Sequence, residues 1–316
     1  MLLLHILSLL ATALPALATF PTKLLYQSPT EFFENIAVRP NGKLLITAVT
    51  SPTLFTIDPA ASNATLDAVY TFPNGTGMNG IAEYAPNVYA VVVSKLNDTT
   101  RTAELGSVTV WRIALTTRHP VVKRMAVLPD SKLLNGLSPV PGVPHLVLGA
   151  DTYGGIVYEF NMRTGATRIA LQTPVIIGIN GLHVRHGALY LTNSLAKTLM
   201  RVPLTMNGSA VTFSGPFEVL GGIQSTAPVA SFDDFTVDTA GRAWVATLPG
   251  ALTLFTPHAN GTWSQENAAG DPAGGKSVFA QPTSAAFGRK GKKDGRNLYV
   301  VTHGGQLVRV DTGCEE

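Results

Sequence analysis

The sequence predicts an all-β chain folded as one six-bladed β-propeller, and three observations carry that prediction. Short alternating or β-branched runs bounded by Gly, Pro, Asn and Asp dominate, with almost no segment of helical period. One polar phrase recurs six times at blade-sized intervals. The last unit is one strand short, while a spare strand stands near the N-terminus.

The recurring phrase is a polar residue, a second small or polar residue, then a short apolar strand, a turn and another strand. It reads Glu34-Asn35-Ile36-Ala37-Val38, Asn79-Gly80-Ile81-Ala82, Asn135-Gly136-Leu137-Ser138, Asn180-Gly181-Leu182-His183-Val184, Asp233-Asp234-Phe235-Thr236-Val237 and Thr283-Ser284-Ala285-Ala286-Phe287. Its first residues are spaced by 45, 56, 45, 53 and 50 positions, the size of a four-stranded blade with variable loops. Each unit continues in the same order, as in Arg185-His186-Gly187, Ala188–Thr192 and Thr198–Val202 of the fourth. Six such units fill residues 19–316 and leave nothing for a second domain. The sixth supplies three strands, so Thr22-Lys23-Leu24-Leu25-Tyr26 is expected to complete it and close the ring, removing a free sheet edge. A parallel β-helix is the structural rival, but its repeats are shorter and more regular.

Residues 1–18 read as a secretory signal peptide: a short apolar run enters Ala16-Leu17-Ala18, and no other segment reaches a membrane-spanning length. The mature chain is expected in the secretory lumen or outside the cell, free of the membrane. Five N-x-S/T sequons, at Asn63, Asn74, Asn97, Asn207 and Asn260, lie in loop-like stretches and fit a glycoprotein. The single cysteine, Cys314, excludes an intrachain disulfide, so the fold rests on its own core. A net charge of +3 argues against a nucleic-acid partner, and the local run Arg289-Lys290-Gly291-Lys292-Lys293 reads as a solvated hairpin tip.

The start of each innermost strand faces the central channel, so Glu34, Asn79, Asn135, Asn180, Asp233 and Thr283 should form a polar ring. Buried carboxylates and amides need compensation. Oxygen donors of this kind suit a hard cation such as Ca²⁺, or they cap turn amides at the blade entrances. A second layer, Asp151 and Tyr153, Asn193 and Ser194, Thr302 and His303, is expected from the ends of the next strands. Within these layers Asn79, Asp151, Tyr153, Asn193 and Thr283 are candidate substrate-pocket residues, with apolar walls near Phe32-Phe33, Met78 and Tyr153.

Two of these phrases resemble the senescence-marker-protein/gluconolactonase family. Asn180-Gly181-Leu182 with Leu189-Tyr190-Leu191-Thr192-Asn193-Ser194 is similar to its fourth blade. The run from Phe232 to Ala246, with Asp233-Asp234-Phe235 and Gly241-Arg242-Ala243-Trp244-Val245-Ala246, is similar to its fifth. The resemblance implies one divalent cation, usually Ca²⁺, held by Glu34, Asn135, Asn180 and Asp233, and no organic cofactor. In the family's lactonases the metal polarises the lactone carbonyl and the aspartate helps activate water. The chain departs from the pattern at Asn35-Ile36-Ala37-Val38, at Asp234 in place of glycine, and in the missing third-blade arginine phrase that would grip a sugar acid.

Length, leader and weakened lactonase motifs also resemble exported fungal propellers of secondary metabolism, among them hetero-Diels-Alderases. In these an alcohol is dehydrated to a quinone methide that closes a dihydropyran ring. That resemblance implies a partly apolar pocket with acid–base help from Asp233 or His303. Three readings therefore stand, all for a chain working as a monomer. The leading one is a cyclase acting on a small apolar natural product. The others are a Ca²⁺-dependent lactone hydrolase and a non-catalytic extracellular binding propeller.

Overall fold

A computed structural model describes residues 20–97, 100–223, 229–275, 277–289 and 295–313. The leader at 1–18, Cys314 and the lysines of the basic run lie outside these residues. Six antiparallel sheets stand around one axis, each running from an innermost strand at the channel to an outermost strand at the rim. The innermost strands are Phe33–Val38, Gly77–Ala85, Leu134–Pro139, Ile179–Arg185, Ser231–Val237 and Pro282–Phe287, one per predicted unit. The uneven spacing of the repeat has visible causes. Blade two carries an extra hairpin, Leu96–Asn97 with Thr102–Ala103. In blade four the strand Thr198–Asn207 runs on past the sheet to pair with Ala210–Phe213.

Closure occurs as the sequence predicts. Thr22–Gln27 pairs antiparallel with Gln306–Asp311, from Thr22 opposite Val310 to Gln27 opposite Gln306. Blade six is thereby four-stranded, and the first and last described strands of the chain share one sheet.

The core is six apolar slabs, one between each pair of neighbouring blades. Leu45 and Leu54 of blade one meet Met78 and Tyr89 of blade two; Val92 and Val110 meet Tyr158 and Phe160; Leu148 and Val157 meet Leu189 and Met200. Tyr190 and Leu199 meet Phe235 and Phe255; Trp244 and Leu254 meet Phe287 and Val308; Tyr299 and Leu307 meet Phe33 and Ile46. Because each sheet is covered on both faces, middle strands such as Leu44–Ala48 are buried throughout and are apolar but for Thr47. Alternation still decides which slab a side chain enters. Trp244 packs toward blade six, while its neighbours Ala243 and Val245 pack toward blade four.

This geometry leaves the inner edge of every blade unpaired along the channel, and at blades one, two and five side chains of the preceding blade cap its carbonyls. Thr47 Oγ1 donates to the Asn79 carbonyl at 2.6 Å and Thr192 Oγ1 to the Asp233 carbonyl at 2.7 Å. Thr283 Oγ1 donates to the Phe33 carbonyl at 3.1 Å, Arg185 to the Val237 carbonyl at 3.0 Å, and Arg289 to the Val38 carbonyl. Blade-to-blade bonds of this type satisfy backbone groups that would otherwise be buried and unmet.

Candidate active site

Six β-bulges build the site. In every innermost strand the register slips at the polar phrase: between Phe33 and Ile36, Met78 and Ile81, Leu134 and Leu137, Ile179 and Leu182, Phe232 and Phe235, and Pro282 and Ser284. A bulge re-aims the residues it carries, here out of the blade interfaces. Glu34, Asn79, Asn135, Asn180, Asp233 and Thr283 therefore meet at one end of the channel, all buried.

The residue after each of these divides the ring into two halves. Blades two, three and four have Gly80, Gly136 and Gly181; blades five, six and one have Asp234, Ser284 and Asn35. A Cβ on Gly80 would lie 2.2 Å from the Asn135 carbonyl oxygen, and one on Gly181 2.1 Å from Asp234 Oδ1. At Gly181 the Asp234 side chain of blade five fills the space, whereas at Gly80 and Gly136 a backbone carbonyl of the next blade does. Asn35 Nδ2 donates to Asp234 Oδ2 at 2.7 Å, and Ser284 Oγ donates to Asn35 Oδ1 at 3.4 Å. These three side chains form a polar floor beneath the ring.

The ring itself is short of donors. The amide oxygens of Asn79, Asn135 and Asn180 are buried with no hydrogen-bond partner. Burial, with the charges of Glu34 and Asp234, pushes the Asp233 carboxyl well above the ordinary carboxylate range, against partial relief from the Asp234 amide and Asn180. Asp234 is also raised, mainly by burial, although His183 and hydrogen bonds from Phe235 and Asn35 oppose the shift. At the edge of the ring His303 Nε2 donates to Glu34 Oε2 at 2.8 Å. Three donorless amide oxygens beside two carboxylates form an all-oxygen set that fits a hard cation such as Ca²⁺. Glu34, Asn135, Asn180 and Asp233 would hold it, joined by Asn79. Thr283 is different: its hydroxyl is spent on the Phe33 and Val301 carbonyls.

The proposed second layer divides. His303 stands at the ring. Asp151 and Asn193 are buried in their own turns, where Asp151 Oδ1 accepts from Gly154 N at 3.0 Å and Asn193 Oδ1 from Ala196 N at 3.0 Å. Burial raises the Asp151 carboxyl, and hydrogen bonds from Ser131 and turn amides offset part of the shift. Thr302 bonds Gln306, and Ser194 Oγ donates to the Phe232 carbonyl at 2.7 Å. Of the expected apolar walls, Phe32 and Tyr153 are exposed, whereas Phe33 and Met78 are fully buried in blade interfaces. Phe33 directly precedes a bulge and keeps the in-plane orientation that sends it to the core.

Sequence reasoning missed the rest of the rim. Val175, Ile177, Leu195, Val229 and Val278 are exposed in the loops that enter or leave the strands at the ring end, together with Phe32, Leu105 and Tyr153. The remaining large exposed apolar residues, such as Val121 and Ile169, sit on outer strands, and Met206 on the long hairpin of blade four. The available signal was apolar residues inside Gly-, Pro- and Ser-flanked loops, as in Thr173-Pro174-Val175-Ile176-Ile177-Gly178. Two surface cavities of about 600 and about 200 Å³ flank His186 and Gly187 of blade four, at the opposite face.

No protein-family model matches the chain. A Phoma chain described as "Putative hetero-Diels-Alderase" is 26% identical over 327 residues, covering 92% of this chain and 88% of that one. A second, from Sarocladium schorii and described in the same terms, is 26% identical over 330 residues, covering 92% and 79%. Among solved structures, the calcium-binding regucalcin of Agrobacterium tumefaciens has a TM-score of 0.62 at 16% identity, covering 93% of this chain and 95% of its own. A "putative gluconolactonase" has a TM-score of 0.63 at 16% identity, covering 93% of each chain. A catalytically inactive histidine-to-alanine variant of Staphylococcus aureus virginiamycin B lyase scores 0.55 at 15% identity, covering 92% and 99%. The chain is thus similar over nearly its whole length to proteins named hetero-Diels-Alderases, on a six-bladed β-propeller of the regucalcin and gluconolactonase kind.

Proposed function

We propose that the chain is a hetero-Diels-Alderase-like cyclase of secondary metabolism that acts, as a secreted-pathway monomer, on a small apolar intermediate at the ring end of its channel. The observation that carries this reading is a floor of buried polar groups under a rim of exposed apolar side chains. The ring above this floor supplies acid and base while the rim holds a hydrocarbon skeleton. The whole-length similarity to the two fungal chains supports the same reaction class.

The raised Asp233 carboxyl keeps its proton and serves as general acid toward a leaving hydroxyl, so that water departs. Glu34 fixes the Nε2 proton of His303, leaving Nδ1 as the basic nitrogen to take the enolic proton. The product of that dehydration is an oxadiene of the quinone-methide type. It adds across a carbon–carbon double bond, forming one C–C and one C–O bond, with the apolar rim setting which faces meet. Proton return from His303 to Asp233 restores the site. The requirement for one histidine in virginiamycin B lyase is consistent with a propeller of this shape using such a base.

The test incubates purified protein with a hydroxymethyl phenol-type alcohol and an electron-rich cyclic alkene, and reads rate and enantiomeric excess of the dihydropyran. An accelerated, enantioenriched product is expected. A racemic product at the uncatalysed rate overturns the reading.

The donorless oxygens of Asn79, Asn135 and Asn180 favour a second reading, a Ca²⁺-dependent lactone hydrolase. A bound cation would supply Lewis acidity to a lactone carbonyl. The chain's own part would be to hold the ring oxygens in place, to present Asp233 to the attacking water, and to exclude bulk water with the rim. One Ca²⁺ per chain together with lactone hydrolysis would establish that alternative.

A further inference from the structure

Away from the channel, two cations face the junction of blades two and three. Arg112, on the strand Val108–Ala114, stands directly opposite Lys123 on the outermost strand Val121–Leu128. Arg112 also stands opposite Ala90, which packs into the slab shared with blade three, so both cations face that blade. Like charges directly opposed across an antiparallel pair are destabilising, and among the described residues neither has an acidic partner.

Two further features converge on the same place. Tyr84, at the end of its innermost strand, has a buried hydroxyl with no hydrogen-bond partner of good geometry, although the Arg112 guanidinium lies beside it. The His145 ring from blade three stands edge-on to Tyr84 at 6.0 Å between centroids, and His145 holds a φ of 66° to put it there. A left-handed backbone at a non-glycine residue costs free energy and collects at ligand sites. Lys123 is exposed and Arg112 half-buried, so both cations are reachable from solvent.

We propose that this junction binds a tetrahedral oxyanion, a phosphate or sulfate group, gripped by the Arg112 fork, the Lys123 ammonium and the Tyr84 hydroxyl, with His145 packed behind. A planar guanidinium matches two oxygens of such a group, and the ammonium adds a point charge. The bound anion also relieves the Arg112–Lys123 repulsion. The site is independent of the channel chemistry.

The test is calorimetric titration and melting of the full mature chain with sodium phosphate and sodium sulfate, against sodium chloride at equal ionic strength. Wild type should show saturable binding and a melting-temperature rise that chloride does not give. Arg112→Gln should weaken binding at least about tenfold, the loss of about 1.4 kcal/mol, and Tyr84→Phe should weaken it less. Arg112→Gln removes a like-charge contact, so its melting temperature in chloride should equal or exceed that of wild type, which separates lost binding from lost folding. Glucose 6-phosphate and a sulfated disaccharide distinguish an esterified ligand from the free ion by which binds tighter. No rise beyond that in chloride, or unchanged affinity in Arg112→Gln, overturns the site.

Discussion

Replacing Gly181 by alanine probes how the channel floor is filled. The new Cβ would lie 2.1 Å from Asp234 Oδ1 and 2.8 Å from its Cγ and Cα, so something must move. The carboxylate is not free to do so. Its Oδ1 accepts from Phe235 N at 2.8 Å, and its Oδ2 from Asn35 Nδ2 at 2.7 Å. Overpacking costs about 1–3 kcal/mol, and stranding a buried donor adds about 1–3 kcal/mol. Gly181→Ala should therefore destabilise by about 2–6 kcal/mol. Asp234→Gly alone should cost about 1–3 kcal/mol, chiefly by orphaning Asn35. In the double variant the contacts with Oδ1 and Cγ vanish while the one with Cα remains, so rescue is partial. The double variant should be more stable than additivity requires by about 1–3 kcal/mol. Equilibrium urea unfolding of the four proteins measures the cycle. Additivity within about 0.5 kcal/mol would refute the idea that Asp234 occupies the space Gly181 leaves.

Other consequences are as specific. The raised Asp233 and Asp234 bind protons in the native state where the unfolded chain has lost them, so in EDTA stability should fall as pH rises from about 4 through the native values. Melting curves from pH 4 to 8 should show that fall, and a flatter profile for Asp233→Asn; a rise across the range contradicts the assignment. Thr192 Oγ1 accepts from Gly181 N at 3.0 Å and donates to the Asp233 carbonyl at 2.7 Å. Thr192→Val should thus cost about 2–4 kcal/mol in denaturant unfolding, and Thr192→Ser should recover most of it. All five sequon asparagines are exposed; expression through a eukaryotic secretory route should give a protein whose gel mobility shifts on enzymatic deglycosylation, and an unshifted band counts against export.

The blades were legible because one physical device repeats. Each innermost strand carries its polar residue on a bulge, so Glu34, Asn79, Asn135, Asn180 and Asp233 mark the repeat in sequence and face the channel in space. Closure by Thr22–Gln27 was legible because a missing strand and a spare one must find each other. The second layer was not. Asp151 and Asn193 end the second strands of their blades, as Thr302 does just before His303, yet their oxygens go to the amides of their own tight turns. Asn and Asp serve either purpose, and turn geometry decides. The floor of Asn35, Asp234 and Ser284 was hidden for another reason: these residues come from different blades and meet only across the axis. The rim escaped because apolar loop residues carry no period.

If Asp233 and the Glu34–His303 pair act on substrate at the ring, turnover requires both. The most direct test sets kcat/KM for dihydropyran formation against melting temperature in Asp233→Asn and His303→Gln. Each variant should lose about 10²-fold or more in kcat/KM while remaining folded, the range expected for a displaced acid or base. Wild-type turnover in folded Asp233→Asn and His303→Gln would contradict the account.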